Sequence, residues 1–385
     1  MPIEFTLDAP PAGYSVANAS GVEGTLAWVA VREFTSSEDG DLFISRLEGF
    51  PSQLIGRIPP ELHVRASTID HMLVIIRPDL RTTVYVNECR ILVRARFGRR
   101  VEAGEPVYDK DIIDIDSVIF DGIDIPDDAA VLAIVSAGWR KGLFFDFTPL
   151  GPEAHKRDYD LSKLLGSYLA YLKNQSLFRL DSSDWDFLIK HNWFPFVTLS
   201  APLKAKLVAF AKERDDVDRL LPEVVTELKQ LLPNMLQRWP ESRLFGPHLP
   251  FIRHAIEEFE EGDYLSCTAI LYPRIEGLLR TLHESIGILD KVTQKVLTEA
   301  AVEHHDEELH RYSWLMPEMF RKYLQESYFA NFEPTIPAAL SRNSVGHGVA
   351  SVEEFNEKGA SVGLLILDQL FYFLPSAPTQ GNTAA

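Results

Sequence analysis

The chain of 385 residues has only two cysteines, Cys89 and Cys267, and they lie far apart. Two isolated thiols exclude the disulfide framework of a small secreted domain and a thiolate zinc centre. The chain also lacks an apolar run of about 18 residues, the length that a membrane span needs. Its first residues, Met1–Phe5, lack the basic and apolar regions of a secretion signal. We therefore expect a cytoplasmic protein that does not contact a membrane.

Basic residues are scarce, because 38 Lys and Arg stand against 56 Asp and Glu, for a formal net charge of −18. A broad nucleic-acid-binding surface depends on clustered Lys and Arg that neutralise phosphates. The segment from Phe251 to the end is also acidic, with 20 acidic and 10 basic residues. Any contact with nucleic acid must therefore be confined to a small site.

Nucleotide-binding motifs are absent from the sequence as well. No G-x-G-x-x-G or P-loop pattern occurs, so nucleotide cofactors have no support. The pair His304-His305 invites a metal-site interpretation, but neighbouring residues on a helix point about 100° apart and no H-E-x-x-H pattern is present. We expect no cofactor and no metal.

The hydrophobic residues, 46% of the chain, are arranged in patterns that change along its length. Residues 1–150 contain short runs rich in β-branched and aromatic residues, which predict a β-rich domain, a sandwich or a barrel. We expect this domain to have a sensing or regulatory role. The predicted strands are Ala27–Phe34, Leu42–Leu47, Met72–Arg77, Thr82–Asn87, Arg90–Phe97, Ser117–Phe120, Ala130–Ser136 and Leu143–Phe147.

Helical spacing replaces this pattern after residue 150 and predicts a multidomain α+β protein. Residues 151–245 are expected to form a helical connector or small domain, 246–375 an all-α helical bundle, and 376–385 a disordered tail. Asp181 and Asp263 precede two of the predicted helices as N-caps, and Gly287 ends one. The bundle helices are expected at Phe251–Glu261, Asp263–Ile286, Lys291–Ala301, Met316–Ser327, Pro337–His347 and Val352–Leu374.

One segment near the carboxyl end, Ser341-Arg342-Asn343-Ser344-Val345-Gly346-His347-Gly348, has four residues between an Arg and a His. It resembles the signature of HEPN domains, in which Arg and His are separated by four to six residues and a polar residue often follows the Arg. Comparable spacing recurs in the β-rich region or beside a proline, at Arg57/His63, Arg65/His71 and Arg243/His248. Only Arg342 and His347 combine it with a predicted helical context and a polar neighbour, Asn343.

The flanking helices extend this resemblance to about Phe251–Leu374, a third of the chain. Ile270–Arg280 is similar to the second helix of several HEPN proteins, and the apolar segment Leu364–Leu370 suits the closing helix of a bundle. Many HEPN domains are ribonucleases of bacterial toxin and antiphage systems. The resemblance implies an endoribonuclease acting on tRNA or mRNA in abortive infection or similar defence, with a phage or antitoxin partner.

Metal-independent cleavage of RNA needs a base for the 2′-hydroxyl proton, an acid for the leaving 5′ oxygen and a cation for the charge on phosphorus. His347 suits the base or the acid because imidazole titrates near neutrality. Arg342 is a permanent cation whose planar fork fits phosphate oxygens, and Asn343 is expected to orient the phosphate or the His ring. On an ideal helix Arg342 and His347 point about 140° apart. The HEPN resemblance implies a homodimer in which two copies of the motif share one site.

Glu276 lies four residues before Arg280, a spacing that normally forms an ion pair on a helix surface. An alternative hypothesis is that Glu276 reaches into the site and positions Arg342 or His347. A separate Gly-bounded stretch, Trp139-Arg140-Lys141, either contacts RNA or a ligand by stacking and charge or forms a hairpin turn.

A non-catalytic HEPN module is the alternative function. Such a module dimerises and uses the β-rich domain to bind a partner protein or small ligand. Arg342 then forms a structural salt bridge, and His347 satisfies a buried backbone carbonyl.

Overall fold

A computed structural model of the chain describes residues 2–8, 16–17, 29–30, 54–65, 68–138, 140–150, 156–287, 292–306, 310–333 and 339–374. Its internal contacts divide the chain into two compact units. The sheet unit comprises Met1–Arg94 and Ile115–Lys173, and the helical unit comprises Ala95–Asp114 and Asn174–Ala385. The mixed α+β class is confirmed, whereas the predicted domain limits stay a prediction.

The sheet unit contains a five-stranded sheet with the order β1-β5-β4-β8-β9, in which all neighbouring strands are antiparallel. The register places Val74 opposite both Val84 and Leu132. Two further ladders, β2 with β3 and β6 with β7, are separate from this sheet. Within the described ranges the strands are β1 (Ile3–Thr6), β2 (Val16–Ala17), β3 (Val29–Ala30), β4 (His71–Ile76), β5 (Arg81–Val86), β6 (Ile91–Phe97), β7 (Ile112–Phe120), β8 (Ala130–Ala137) and β9 (Arg140–Asp146).

The central strands β4 and β8 are buried on both faces along most of their length, so they form continuous apolar runs rather than alternating ones. Met72 and Val74 of β4 belong to the apolar core on one face. On the other face Ala133 and Phe144 line a small apolar cavity with Leu169 of helix α1 (Leu161–Lys173). Burial of apolar surface on both faces stabilises the sheet unit.

Glycine at position 166 allows α1 to approach the backbone of β7. A Cβ atom at Gly166 would lie 2.6 Å from the Cα atom of Ser117, closer than real carbon atoms approach. Any larger residue must therefore shift the helix away from the strand.

The predicted strands after residue 70 are confirmed, with shifts of a few residues at their ends. The largest difference is at β7, which begins at Ile112 rather than Ser117. The predicted strand Leu42–Leu47 lies outside the described residues, and only Val29–Ala30 of Ala27–Phe34 is described.

The helical unit is built around its last helix, α11 (Glu357–Phe371), which is buried along most of its length. Its Gly363 faces α7 (Tyr264–Ser285), where a Cβ atom would lie 3.2 Å from Leu271 Cδ1. The buried carboxylate of Asp368 accepts hydrogen bonds from Thr198 (2.7 Å) and from the Trp239 indole (3.0 Å) and pairs with Arg238. The other helices are α2 (Gln175–Phe178), α3 (Ser182–Lys190), α4 (Ala201–Glu213), α5 (Leu221–Arg238), α6 (Leu249–Glu261), α8 (Gln294–Asp306), α9 (Pro317–Tyr323) and α10 (Arg342–Gly346).

Three of the predicted bundle helices differ from the expected ones in type or in their first residue. The predicted helix Met316–Ser327 is α9 followed by a π-helical segment, Leu324–Tyr328. The helix predicted over Pro337–His347 begins only at Arg342, because Ser341 is extended and caps it. The predicted Val352–Leu374 begins at Glu357 after the N-cap Asn356. None of the helices in the described ranges has the length and apolarity required to cross a membrane.

Candidate functional site

The short helix α10 begins with a reciprocal cap between two buried serines. The Ser341 hydroxyl accepts a hydrogen bond from the Ser344 backbone N–H (3.1 Å), and the Ser344 hydroxyl accepts one from the Ser341 N–H (2.9 Å). The Ser341 hydroxyl also donates to the Ala330 carbonyl at 3.0 Å. These bonds satisfy amide groups that a helix start leaves unpaired. They fix Arg342 as the first residue of the helix.

Arg342 extends its guanidinium group along α10 toward the carboxyl end of the helix. A Cβ atom at Gly346 would lie 2.9 Å from Arg342 Nη1, so the guanidinium occupies the space that a side chain there would take. Its Nε forms an ion pair with Oε2 of Glu276 on α7, and 27% of the Arg342 side chain is exposed. The cation is therefore held in place and still reaches solvent.

Glu276 is a buried carboxylate shared by two arginines. Its Oε1 accepts hydrogen bonds from Arg280 Nε (2.8 Å) and Nη2 (2.6 Å), while Oε2 pairs with Arg342. Only 6% of the Glu276 side chain is exposed, against 49% of that of Arg280. The helix-surface ion pair and the contact with Arg342 thus exist together. Two cations against one anion leave this cluster a formal charge of +1, which suits a phosphate.

Tyr328 lies beside this cluster but is not equipped to exchange protons. Burial, followed by the negative charge of Glu276, raises the pKa of Tyr328 well above its ordinary value. Its hydroxyl donates a hydrogen bond of 2.6 Å to the Tyr272 carbonyl of α7. The neutral phenol connects the π-helical segment to the helix that carries Glu276.

His347 is the residue that ends α10, and its side chain is exposed. Its backbone N–H donates to the Asn343 carbonyl at 3.0 Å, and Gly348 then takes the left-handed conformation (φ 68°) that terminates the helix. The imidazole lies against the ring of Phe332, with 5.4 Å between the ring centroids and an angle of 52°. A solvent-facing imidazole at this position can exchange protons with a bound substrate.

Asn343 points away from this exposed end and into the core. Its Nδ2 donates to the Phe329 carbonyl at 2.9 Å, and its Oδ1 accepts from Gln294 Nε2 at 2.5 Å. Every hydrogen bond of its side chain within the described ranges goes to Gln294, Phe329 or Ala330. The expected role in orienting a phosphate or the His347 ring therefore has no contact that supports it. The amide fastens α10 to the preceding chain.

The other candidate contact, Trp139-Arg140-Lys141, is only partly described, because Trp139 lies outside the described residues. Arg140 Nη1 donates to the Leu172 carbonyl at the end of α1 (3.0 Å), and Lys141 Nζ donates to the Ile69 carbonyl (2.5 Å). Both cations stabilise backbone carbonyls in the sheet unit. Their contact with RNA or a ligand stays a prediction.

His248, which shares the spacing of the motif, has partners of its own away from the site. His248, of the pair Arg243/His248, is buried and its Nε2 lies 3.2 Å from the Thr281 hydroxyl. Burial, and then the charge of Arg274, lower the pKa of His248 below its ordinary value. The side chains of His304 and His305 lie outside the described residues.

The sequence did not indicate that Phe332 belongs to this site. Phe332 lies before the helix predicted over Pro337–His347, and Pro334 and Pro337 separate it from His347, so no single predicted element carries both residues. Only the structure, by ending α10 at Gly346, brings the exposed imidazole against this ring. Comparisons with protein-family models, curated proteins and solved structures find no match to this chain. The resemblance to HEPN domains therefore rests on the motif and its flanking helices.

Proposed function

We propose that the protein is a cytoplasmic, metal-independent endoribonuclease of the HEPN type that acts in toxin-like or antiphage defence. One observation carries the proposal: buried Glu276 holds the guanidinium of Arg342 against Gly346, and the next residue in sequence, His347, is exposed. Cleavage of a phosphodiester without a metal requires a fixed cation and an accessible acid–base group.

In the proposed reaction His347 accepts the proton of a ribose 2′-hydroxyl, and the 2′ oxygen attacks the adjacent phosphorus. The bond from phosphorus to the 5′ oxygen breaks, and that oxygen takes a proton from an imidazolium. The products are a 2′,3′-cyclic phosphate and a 5′-hydroxyl. Arg342 stabilises the negative charge that grows on the phosphate oxygens, and Glu276 prevents the guanidinium from moving during the reaction.

A homodimer supplies the second proton-transfer group in this proposal. Two copies of α10 facing each other place two imidazoles and two guanidiniums around one scissile phosphate, so one His347 acts as base and the other as acid. This arrangement also doubles the local Arg content of an acidic chain without a basic surface. We propose tRNA or mRNA as substrate and a phage or antitoxin component as the partner of the sheet unit.

The test is incubation of the purified protein with total RNA in EDTA, with His347→Ala as the inactive variant. The matched control is His254→Ala, because His254 is an exposed helical histidine beside Glu257 and Glu258. We expect cleavage by the wild type and by His254→Ala, and a loss of about a hundredfold or more in His347→Ala. Persistent cleavage by His347→Ala, or strict dependence on a divalent metal, contradicts the proposal.

A second candidate is a non-catalytic HEPN module that dimerises and presents the sheet unit to a ligand or partner. The pairing of Arg342 with Glu276 and the internal bonding of Asn343 favour it, because both are stabilising contacts. In that case the wild type does not cleave RNA in any buffer, and Arg342→Gln lowers the melting temperature without changing any activity.

A further inference from the structure

Phe332 is a partly exposed aromatic ring that lies directly against His347. The 5.4 Å between the two ring centroids is within the range of attractive aromatic pairs. The neighbours of Phe332 in sequence, Asn331 and Glu333, are both exposed, so this part of the chain runs along the surface. A partly exposed aromatic ring therefore lies beside His347, the proposed acid–base group.

The charge of the protein limits how strongly phosphates alone can hold an RNA at this site. The chain has a net charge of −18, and the two cations of the site, Arg342 and Arg280, share one carboxylate. Affinity from phosphate neutralisation rises with the number of cations engaged, and here that number is small. Stacking of a base on an aromatic ring requires no net charge on the protein.

We propose that Phe332 stacks on the nucleobase beside the scissile phosphate, which makes the preferred substrate an unpaired segment of RNA. The inference rests on the proposed ribonuclease function and adds the structural class of the substrate. Bases in a duplex are stacked on their neighbours and cannot present a face to Phe332. Phe332 is then a specificity-determining residue, whereas His347 and Arg342 carry the chemistry.

Binding is measured separately from cleavage with a 2′-O-methyl oligonucleotide that contains 2-aminopurine. The methyl group blocks attack by the 2′ oxygen, and the fluorescence of 2-aminopurine is quenched when the base stacks. The same oligonucleotide is offered as a single strand and as a duplex. The variants are Phe332→Leu, which keeps an apolar side chain without a ring, and Phe332→Tyr, which keeps the ring.

The matched control is Phe251→Leu, because Phe251 is an exposed phenylalanine on α6 whose ring lies against Arg274. We expect the wild type, Phe332→Tyr and Phe251→Leu to bind the single strand with quenching. Phe332→Leu should bind about tenfold more weakly and lose the quenching. In cleavage assays Phe332→Leu should raise KM by a similar factor and leave kcat nearly unchanged.

Equal binding by Phe332→Leu and the wild type overturns the inference, as does equal affinity of the wild type for the duplex and the single strand. A failure of Phe332→Tyr to restore binding also overturns it, because the effect is then structural. Ring-dependent binding without any cleavage of natural RNA refutes the ribonuclease proposal and leaves the stacking surface intact. Cleavage with an unchanged KM in Phe332→Leu refutes the stacking alone.

Discussion

Two pairs of basic residues, Arg140 with Lys141 in the sheet unit and Arg342 with His347 in the helical unit, stand in contrasting environments. Arg140 and Lys141 donate hydrogen bonds to the backbone carbonyls of Leu172 and Ile69. Arg342 instead pairs with a buried carboxylate and keeps 27% of its side chain exposed. The imidazole of His347 is exposed at the end of its helix.

The contrast is between cations that bond to backbone carbonyls and a cation, Arg342, that we propose to be catalytic. A donor bonded to a carbonyl completes the hydrogen bonding of the backbone, and moving it leaves that carbonyl unsatisfied. A guanidinium held at Nε by a carboxylate has further N–H groups with which to bind a phosphate. Glu276 therefore orients Arg342 without using all of its donors.

The largest expected effect is on cleavage, and it compares Arg342→Gln with Arg140→Gln. In the proposed mechanism Arg342→Gln removes the cation that stabilises the charged transition state, and we expect RNA cleavage to fall about a hundredfold or more. Arg140→Gln keeps a side chain that can donate to the Leu172 carbonyl and should leave cleavage within a factor of about two. The measurement is the initial rate of cleavage of one RNA by each variant. Equal losses of cleavage rate in Arg342→Gln and Arg140→Gln contradict the distinction between the two arginines.

The next effect concerns the stability of the sheet unit. Gly166→Ala forces α1 away from β7 and should lower the free energy of unfolding by about 2–3 kcal/mol. The matched control is Gly246→Ala, since nothing lies within 4 Å of a Cβ atom there, and it should be nearly neutral. Thermal or urea unfolding measures both. A Gly166→Ala variant as stable as the wild type shows that the helix moves without penalty.

A smaller loss of stability is expected for Asn343→Ala, which removes the hydrogen bonds to Gln294 and to the Phe329 carbonyl. The buried Phe329 carbonyl and the partly buried Gln294 amide are left unsatisfied, and we expect a loss of about 2 kcal/mol. Arg342→Gln should lose about 1 kcal/mol or less, because Arg280 still pairs with Glu276. Chemical unfolding of both variants tests this order. A larger loss of stability in Arg342→Gln than in Asn343→Ala contradicts this prediction, because Arg342 is then the residue with the main structural role.

The smallest effect is on the pH dependence of stability at His248. Its folded-state pKa lies below its ordinary value of 6.5 because of burial and the charge of Arg274, so the unfolded chain takes up a proton first as the pH falls. Stability is therefore full above about pH 6.5 and declines below it. Melting temperatures between about pH 7.5 and 5.5 should fall more for the wild type than for His248→Gln. Parallel curves contradict this assignment.

Local patterns were sufficient to predict much of the fold. The β-branched runs identified β4 and β5, and the N-caps expected at Asp181 and Asp263 are present, each accepting a hydrogen bond from a backbone N–H three residues later. Gly287, the expected end of α7, takes the left-handed conformation (φ 71°) just past the helix. Each of these features depends on interactions within a few residues, which is why sequence patterns indicate them.

The site itself depends on contacts that no local pattern contains. Glu276 and Arg342 are 66 residues apart in sequence, and their ion pair exists only because α7 and α10 lie together. The inward direction of Asn343 follows from where α10 begins, which the Ser341–Ser344 cap determines. On an ideal helix over the whole motif each side chain points in a different direction. The sequence therefore identified Asn343 as a candidate site residue but did not predict that its side chain points into the core.

The most direct test of the ribonuclease proposal is the chemistry of the cut ends. A synthetic RNA cleaved by the wild-type protein in EDTA should carry a 2′,3′-cyclic phosphate and a 5′-hydroxyl. Replacing the ribose at the cut position by 2′-deoxyribose should prevent that cut, because the attacking oxygen is gone. Mass spectrometry of the fragments measures both. Fragments with a 3′-hydroxyl and a 5′-phosphate, or a cut at the 2′-deoxy position, contradict attack by the 2′ oxygen assisted by His347 and Arg342.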